Sequence, residues 1–151
     1  MSYETGTPRA AIFLLIEQNK KYAFIMRTNT GWRDGYYALP AGTVEKNESF
    51  IQGAIREAAE ELGITIKTDD LQSVLICHRF EDGSDWVDNM FLVNKWQGEV
   101  INNEPHMHGE LTWFALNSLP DNITPSQRSM LAAYLRGEHY CELGWDSSTT
   151  N

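Results

Sequence analysis

The chain has 151 residues, and 12 Lys and Arg stand against 21 Asp and Glu, a formal charge of −9. A mass of 17.2 kDa is the size of one domain, long enough to fold around a core without a disulfide or structural metal. A pI near 4.8 excludes a protein that grips duplex nucleic acid by its phosphates, because that binding needs a basic footprint.

An acidic protein can still handle phosphates if a metal ion supplies the positive charge. The longest apolar run, residues 10–16, is far shorter than the roughly 20 residues that cross a membrane. Residues 1–8 carry no basic stretch leading into an apolar one, so no secretory signal is expected. A cytoplasmic protein without a membrane partner is the expectation. Cys77 and Cys141 form no CxxC, which predicts two free thiols in a reducing compartment.

In chain order, Arg9 to Glu17 reads as a strand rich in Ile, Leu and Phe, turned at residues 18–20 into a partner strand, Lys21 to Arg27. Residues 28–35 hold Asn29, Gly31, Asp34 and Gly35 and read as a loop. A short extended piece, Tyr36 to Pro40, follows. Ser49 to Leu62 is the clearest helix. Ser49 with Gln52 makes a capping-box pattern, and Gly63 stands at the stop position. Ile51, Ala54, Ile55, Ala58 and Leu62 form its apolar stripe. Leu71 to Phe80 and Trp86 to Trp96 read as a strand pair around the turn Glu81 to Asp85, and Leu111 to Leu116 as a further strand. A second helix is expected from about Pro125 to Arg136, with Thr124 as N-cap, Pro125 at N1 and Gly137 as the stop. Strands mixed with two helices predict an α/β layered sandwich with a mixed sheet. Residues 1–145 are expected to form one domain and residues 146–151 a disordered tail.

On the first helix Glu57, Glu60 and Glu61 lie at i, i+3 and i+4, sharing one arc beside the apolar stripe. Like charges at this spacing disfavour an isolated helix, and partial burial would cost them hydration. A hard divalent cation such as Mg²⁺ or Mn²⁺ removes both problems, with water and substrate phosphate oxygens completing its shell. Arg56 can pair with Glu48 ahead of the cap and fix loop to helix. The competing reading of the trio is a solvated acidic face.

The spacing around the trio decides between these. Gly42, five residues, Glu48, seven residues, Arg56-Glu57-Ala58, one residue, Glu60-Glu61, one residue, Gly63-Ile64 resembles the Nudix box, GX5EX7REUXEEXGU, at every fixed position. A chance match in a chain of this length is on the order of one in a million. The resemblance implies a Nudix-type α/β/α sandwich and hydrolysis of a nucleoside diphosphate linked to another group X. It further implies that Glu57, Glu60 and Glu61 bind the metal, with the backbone carbonyl of Ala41 as a further ligand. The usual residue at 41 is Gly, but a carbonyl ligand needs no particular side chain. Gly42, Glu48, Arg56 and Gly63 would support the box. Water attack on a phosphoryl group needs positioning and charge relief, and a carboxylate not spent on metal can take the proton. Glu61 is one candidate base. Glu110 is another, because family members often carry an acidic residue just before the last strand. Arg27, at the end of the second strand, suits a phosphate.

Markers outside the box that identify some subgroups are absent, among them a Pro between Ile64 and Glu104. The short chain is therefore most similar to the MutT-like group, which converts nucleoside triphosphates to monophosphates and pyrophosphate. ADP-ribose, dinucleoside polyphosphate or nucleotide-sugar hydrolysis is the alternative. Hydrolysis of 5′-triphosphate RNA ends, and a non-catalytic nucleotide-binding module, are further readings. Trp32, Tyr36, Tyr37 and Asn122 are candidates to contact the base, with Asp88 and Asn89 behind them; core packing for the aromatics and a plain turn for Asn122 compete with that role. His106 and His108 bracket Met107 and read as two loop histidines rather than a metal pair. A monomer or homodimer acting on a small nucleotide, with Mg²⁺ or Mn²⁺ as cofactor, completes the expectation.

Overall fold

The structure is a computed structural model that describes residues 3–145; the tail expected at 146–151 lies outside the described residues. Its strands are β1 (Arg9–Gln18), β2 (Lys21–Arg27), β3 (Tyr37–Ala38), β4 (Ala41–Thr43), β5 (Gln72–Glu81), β6 (Ser84–Val93), β7 (His108–Phe114) and β8 (Tyr140–Leu143). The helices α1 (Phe50–Leu62) and α2 (Pro125–Leu135) and a short 3-10 turn at Thr68–Asp70 complete the described elements.

The first hairpin sets the architecture. Asn19 and Lys20 take φ of 55° and 62°, the left-handed pair that matches a two-residue turn to strand twist. β1 and β2 pair only at Glu17↔Tyr22 and Gln18↔Lys21 and then part. Into the gap comes β4, antiparallel to β1 from Ala11↔Thr43 to Phe13↔Ala41. The other edge of β1 runs parallel to β6 from Arg9↔Trp86 to Ile16↔Val93. β5 and then β8 extend that side, while β3 and β7 pair with β2.

Every residue of β1 from Ala11 to Ile16 is buried, because a helix covers each face of the sheet. Ile12, Leu14, Ile16, Ala23, Ile25, Phe91 and Val93 pack with Ala54, Ala58 and Leu62 of α1. Phe13, Leu15, Phe24, Leu75, Cys77 and Met90 pack with Met130, Leu131 and Ala133 of α2 on the opposite face. This is the α/β/α sandwich with a mixed sheet.

Several boundaries differ from expectation. The turn between β5 and β6 is tighter than residues 81–85, with Asp82 at φ 52° and Gly83 at φ 76°. β7 begins at His108 rather than Leu111, so His108 is a strand residue and not a loop residue. Thr124 precedes α2 without a side-chain capping bond; its hydroxyl instead donates to the Tyr37 carbonyl at 3.1 Å. β8, which composition did not announce, runs parallel to β5 and sets Cys141 opposite Cys77, where the two unbridged thiols lie side by side.

Candidate active site

α1 starts and stops as its sequence dictates. Ser49 accepts from the Gln52 N–H at 3.1 Å, and the Gln52 side chain accepts from the Ser49 N–H at 2.9 Å, the reciprocal capping box. Gly63 closes the helix at φ 68°, its N–H returning to the last turn. The buried face differs from the expected stripe. Ala54, Ala58 and Leu62 are fully buried, but Ile51 and Ile55 are half-buried, and Glu57 and Glu61 are buried in their place. Glu60, also on this helix, is exposed.

The two carboxyl groups are buried next to one another on the same face of α1. Burial pushes the Glu61 carboxyl well above the ordinary range, and the neighbouring Glu57 charge adds to the push. Burial raises Glu57 too, against the pull of Arg56. Glu61 also accepts from the Ala41 N–H at 3.3 Å, which ties the helix to β4. Gly42 leaves room for the Glu57 carboxylate, because a Cβ there would overlap it.

Arg56 organises the neighbouring acids. Its Nε and one terminal nitrogen hold the two Glu48 oxygens at 2.8 and 3.0 Å, a bidentate pair. The Thr43 carbonyl at 3.0 Å, Glu57 at 2.8 Å and Glu60 at 3.1 Å accept from the same guanidinium. With that partner the Glu48 carboxyl is held down to about 2. Arg56 thus fixes β4, the loop before the helix and Glu57 together.

The loop before β7 brings further donors to Glu61. The Ile101 and Asn103 N–H groups satisfy the Leu62 and Glu61 carbonyls at 3.0 and 2.9 Å, carbonyls that the helix end leaves free. The Asn102 side-chain amide bonds the carbonyls of His108 and Gly109 at 2.8 and 2.7 Å. These ties place Glu104 and His108 against α1, and one ligating atom each from Glu61, Glu104 and His108 lies within 4.8 Å of the others. Such a set of oxygens and one nitrogen can hold a divalent ion. Glu104 stands in no motif, and His108, expected as a loop histidine, is one of the three. Glu110, by contrast, is exposed and accepts from the Thr112 hydroxyl at 2.7 Å.

A cleft of about 430 Å³ opens beside this centre, lined by Arg9, Arg27, Trp32, Gly42, Arg79 and Trp86 among others. Arg27 also lines a smaller cavity with Glu61, His108 and Gln127. Its Nε donates to the Trp32 carbonyl at 2.8 Å, and its guanidinium lies 4.9 Å from the Trp32 ring centre. Trp32 in turn donates to Asp82 at 3.0 Å, which bridges its loop to the β5–β6 turn. Tyr37 packs edge-on against Phe114 at 5.0 Å, and Tyr36 lies under the Arg33 guanidinium. Asn122 donates to the Gly35 carbonyl at 3.0 Å, a tie between loops. Asp88 is buried in a two-bond pair with Arg79 at 2.7 and 2.9 Å, and Asn89 accepts from the Ser73 hydroxyl at 2.6 Å. Arg79, Trp86 and Gln127 at the cleft carry no motif that would have marked them.

Residues 6–134 match the NUDIX domain family. An ADP-ribose pyrophosphatase of Methanocaldococcus jannaschii is 29% identical over 129 residues, 85% of this chain and 74% of that protein. A MutT NUDIX hydrolase of Burkholderia pseudomallei has a similar structure, with a TM-score of 0.75 and 29% identity over 84% of this chain and 98% of the other. A MutT protein of Methanosarcina mazei shares the fold at a TM-score of 0.74 and 21% identity, over 88% and 97% of the two chains. Among the described residues no helix is long and apolar enough to cross a membrane. With its box intact across β4, the loop after it and α1, and the family match spanning residues 6–134, the chain belongs to the NUDIX family of hydrolases.

Proposed function

We infer that the protein is a magnesium-dependent pyrophosphohydrolase that cleaves a nucleoside triphosphate to the monophosphate and pyrophosphate. The observation that carries this reading is the pair of buried carboxylates, Glu57 and Glu61, on the face of α1 beside Gly42. Buried like charges with raised proton affinity are costly unless a cation neutralises them. Glu57, Glu60, Glu61 and the Ala41 carbonyl would hold Mg²⁺, with Mn²⁺ as substitute, and the ion would supply charge relief to the polyphosphate. Arg27, at the junction of the two cavities, binds a phosphate oxygen pair. Water attacks a phosphorus of the α–β bridge, forming one P–O bond as the P–O bond to the bridging oxygen breaks, so that monophosphate and pyrophosphate part. A Glu61 oxygen not engaged with the ion takes the water proton. Trp32 offers the base an aromatic wall. The working unit is a single domain over residues 1–145, cytoplasmic, as monomer or homodimer.

The likeness to the Burkholderia MutT hydrolase favours a triphosphate, and the likeness to the archaeal ADP-ribose pyrophosphatase favours ADP-ribose as the second reading. A substrate panel separates them. Canonical and oxidised dNTPs, NTPs, ADP-ribose, dinucleoside polyphosphates and nucleotide sugars are compared by kcat/KM with Mg²⁺ and Mn²⁺. A triphosphate is expected to lead, and a clear lead for ADP-ribose or a dinucleotide overturns the choice.

A further inference from the structure

We propose that the imidazole of His108 is a direct ligand of the divalent ion, so that this enzyme's centre carries one nitrogen donor and binds Mn²⁺ more tightly than a set of oxygen donors alone would. The proposal rests on the hydrolase reading above and adds one ligand to the same site.

Three observations carry it. First, the Nδ1 atom of His108 is buried and has no hydrogen-bond partner among the described residues, a costly state for a ring nitrogen unless something outside the protein engages it. Second, that nitrogen lies 4.0 Å from a Glu104 carboxylate oxygen. This is too long for a hydrogen bond. Two donors each about 2.1 Å from one ion stand about 3 Å apart on adjacent positions and about 4 Å on opposite ones, so the gap can span an ion held between them. Third, Glu61 joins the same group within 4.8 Å, and a small cavity of about 50 Å³ touches both Glu61 and His108.

The backbone explains how His108 reaches this place. Ala23 and Ile25 of β2 pack on the α1 side, and Arg27, two residues on, shares that side. Between Ile25↔Leu111 and Arg27↔His108 the register slips, so β7 spends three residues where β2 spends two. This bulge turns His108 toward α1, and the Asn102 amide fixes it from behind through the His108 and Gly109 carbonyls. A bulge clamped in this way holds a side chain in one direction. Magnesium takes oxygen donors and gives up water reluctantly, whereas imidazole suits first-row transition ions. Mn²⁺ also favours oxygen donors but, as a first-row transition ion, accepts an imidazole more readily than Mg²⁺ does, so one nitrogen strengthens Mn²⁺ binding relative to Mg²⁺.

The test uses the full chain loaded with Mn²⁺ in the absence of nucleotide. Electron spin-echo envelope modulation of the bound ion is expected to show coupling to a directly coordinated ¹⁴N. The coupling persists in His106→Ala and disappears in His108→Ala and His108→Asn. The Mn²⁺ dissociation constant of the His108 variants rises about tenfold or more, while Mg²⁺ competition shows a much smaller change. Mn²⁺ binding that depends on Glu61 but shows no ¹⁴N coupling in the wild-type protein overturns the imidazole ligand and leaves the hydrolase reading standing. Mn²⁺ binding indifferent to Glu61→Gln overturns both.

Discussion

The carboxylate of Glu57 occupies the space that a side chain on residue 42 would fill. Glycine at 42 and glutamate at 57 are therefore one structural unit: β4 approaches α1 closely enough to bury the acid only because position 42 has no Cβ. Gly42→Ala is expected to leave the helical content unchanged by circular dichroism, since it displaces one side chain and not a strand. The displaced carboxylate should weaken divalent-ion binding about tenfold or more, measurable by calorimetric titration with Mn²⁺.

Arg56 holds Glu48, Glu57, Glu60 and the Thr43 carbonyl with one guanidinium. An ammonium group cannot reproduce that fork. Arg56→Lys should keep the fold yet lower Mg²⁺-dependent turnover about 10–100-fold, read as kcat/KM on the best substrate of the panel.

Arg27 stands where the cleft meets the smaller cavity beside Glu61. Hydrogen bonds from a charged group are each worth about 1.5–3 kcal/mol, so Arg27→Ala should reduce kcat/KM about 10–100-fold. The loss should appear mainly in KM if the contact is made equally to ground and transition states. Steady-state kinetics on the preferred nucleotide checks both statements.

Asp88 is 1% exposed and pairs with Arg79 through two bonds. Asp88→Ala leaves that guanidinium with Glu81, at 2.7 Å, and the face of Trp86. Loss of one partner from a buried pair costs about 3 kcal/mol, which urea denaturation would register. Replacing both, Arg79→Met with Asp88→Leu, should recover most of the loss.

Some of this was legible in the sequence because the signals are local. Ser49, Gln52 and Gly63 announce α1 by their own capping chemistry, and the spacing of Glu57, Glu60 and Glu61 depends only on helical pitch. What stayed hidden depends on partners far along the chain. Ile55 looks more suited to the core than Glu57, but the close approach of β4 rotates the buried face toward the acids. His108 is turned to the site by a bulge, not by its neighbours in sequence, so its spacing carries no sign of the role. Glu104 is brought to Glu61 by backbone bonds from Ile101 and Asn103 to the end of α1, and nothing in the composition of that loop predicts them. β8 is only four residues long, and the alternation of exposed and half-buried positions along it is too short to stand out in the sequence; its place is set by the edge of β5.

The most direct measurement is pyrophosphate release from a nucleoside triphosphate by wild-type and Glu61→Gln protein across an Mg²⁺ titration, with the fold of both checked by circular dichroism. Removing the buried carboxylate charge is expected to lower turnover by at least about a hundredfold at saturating metal while the spectrum stays the same. Turnover within a few-fold of wild type in the folded variant would contradict the assignment of the α1 carboxylates as the catalytic centre.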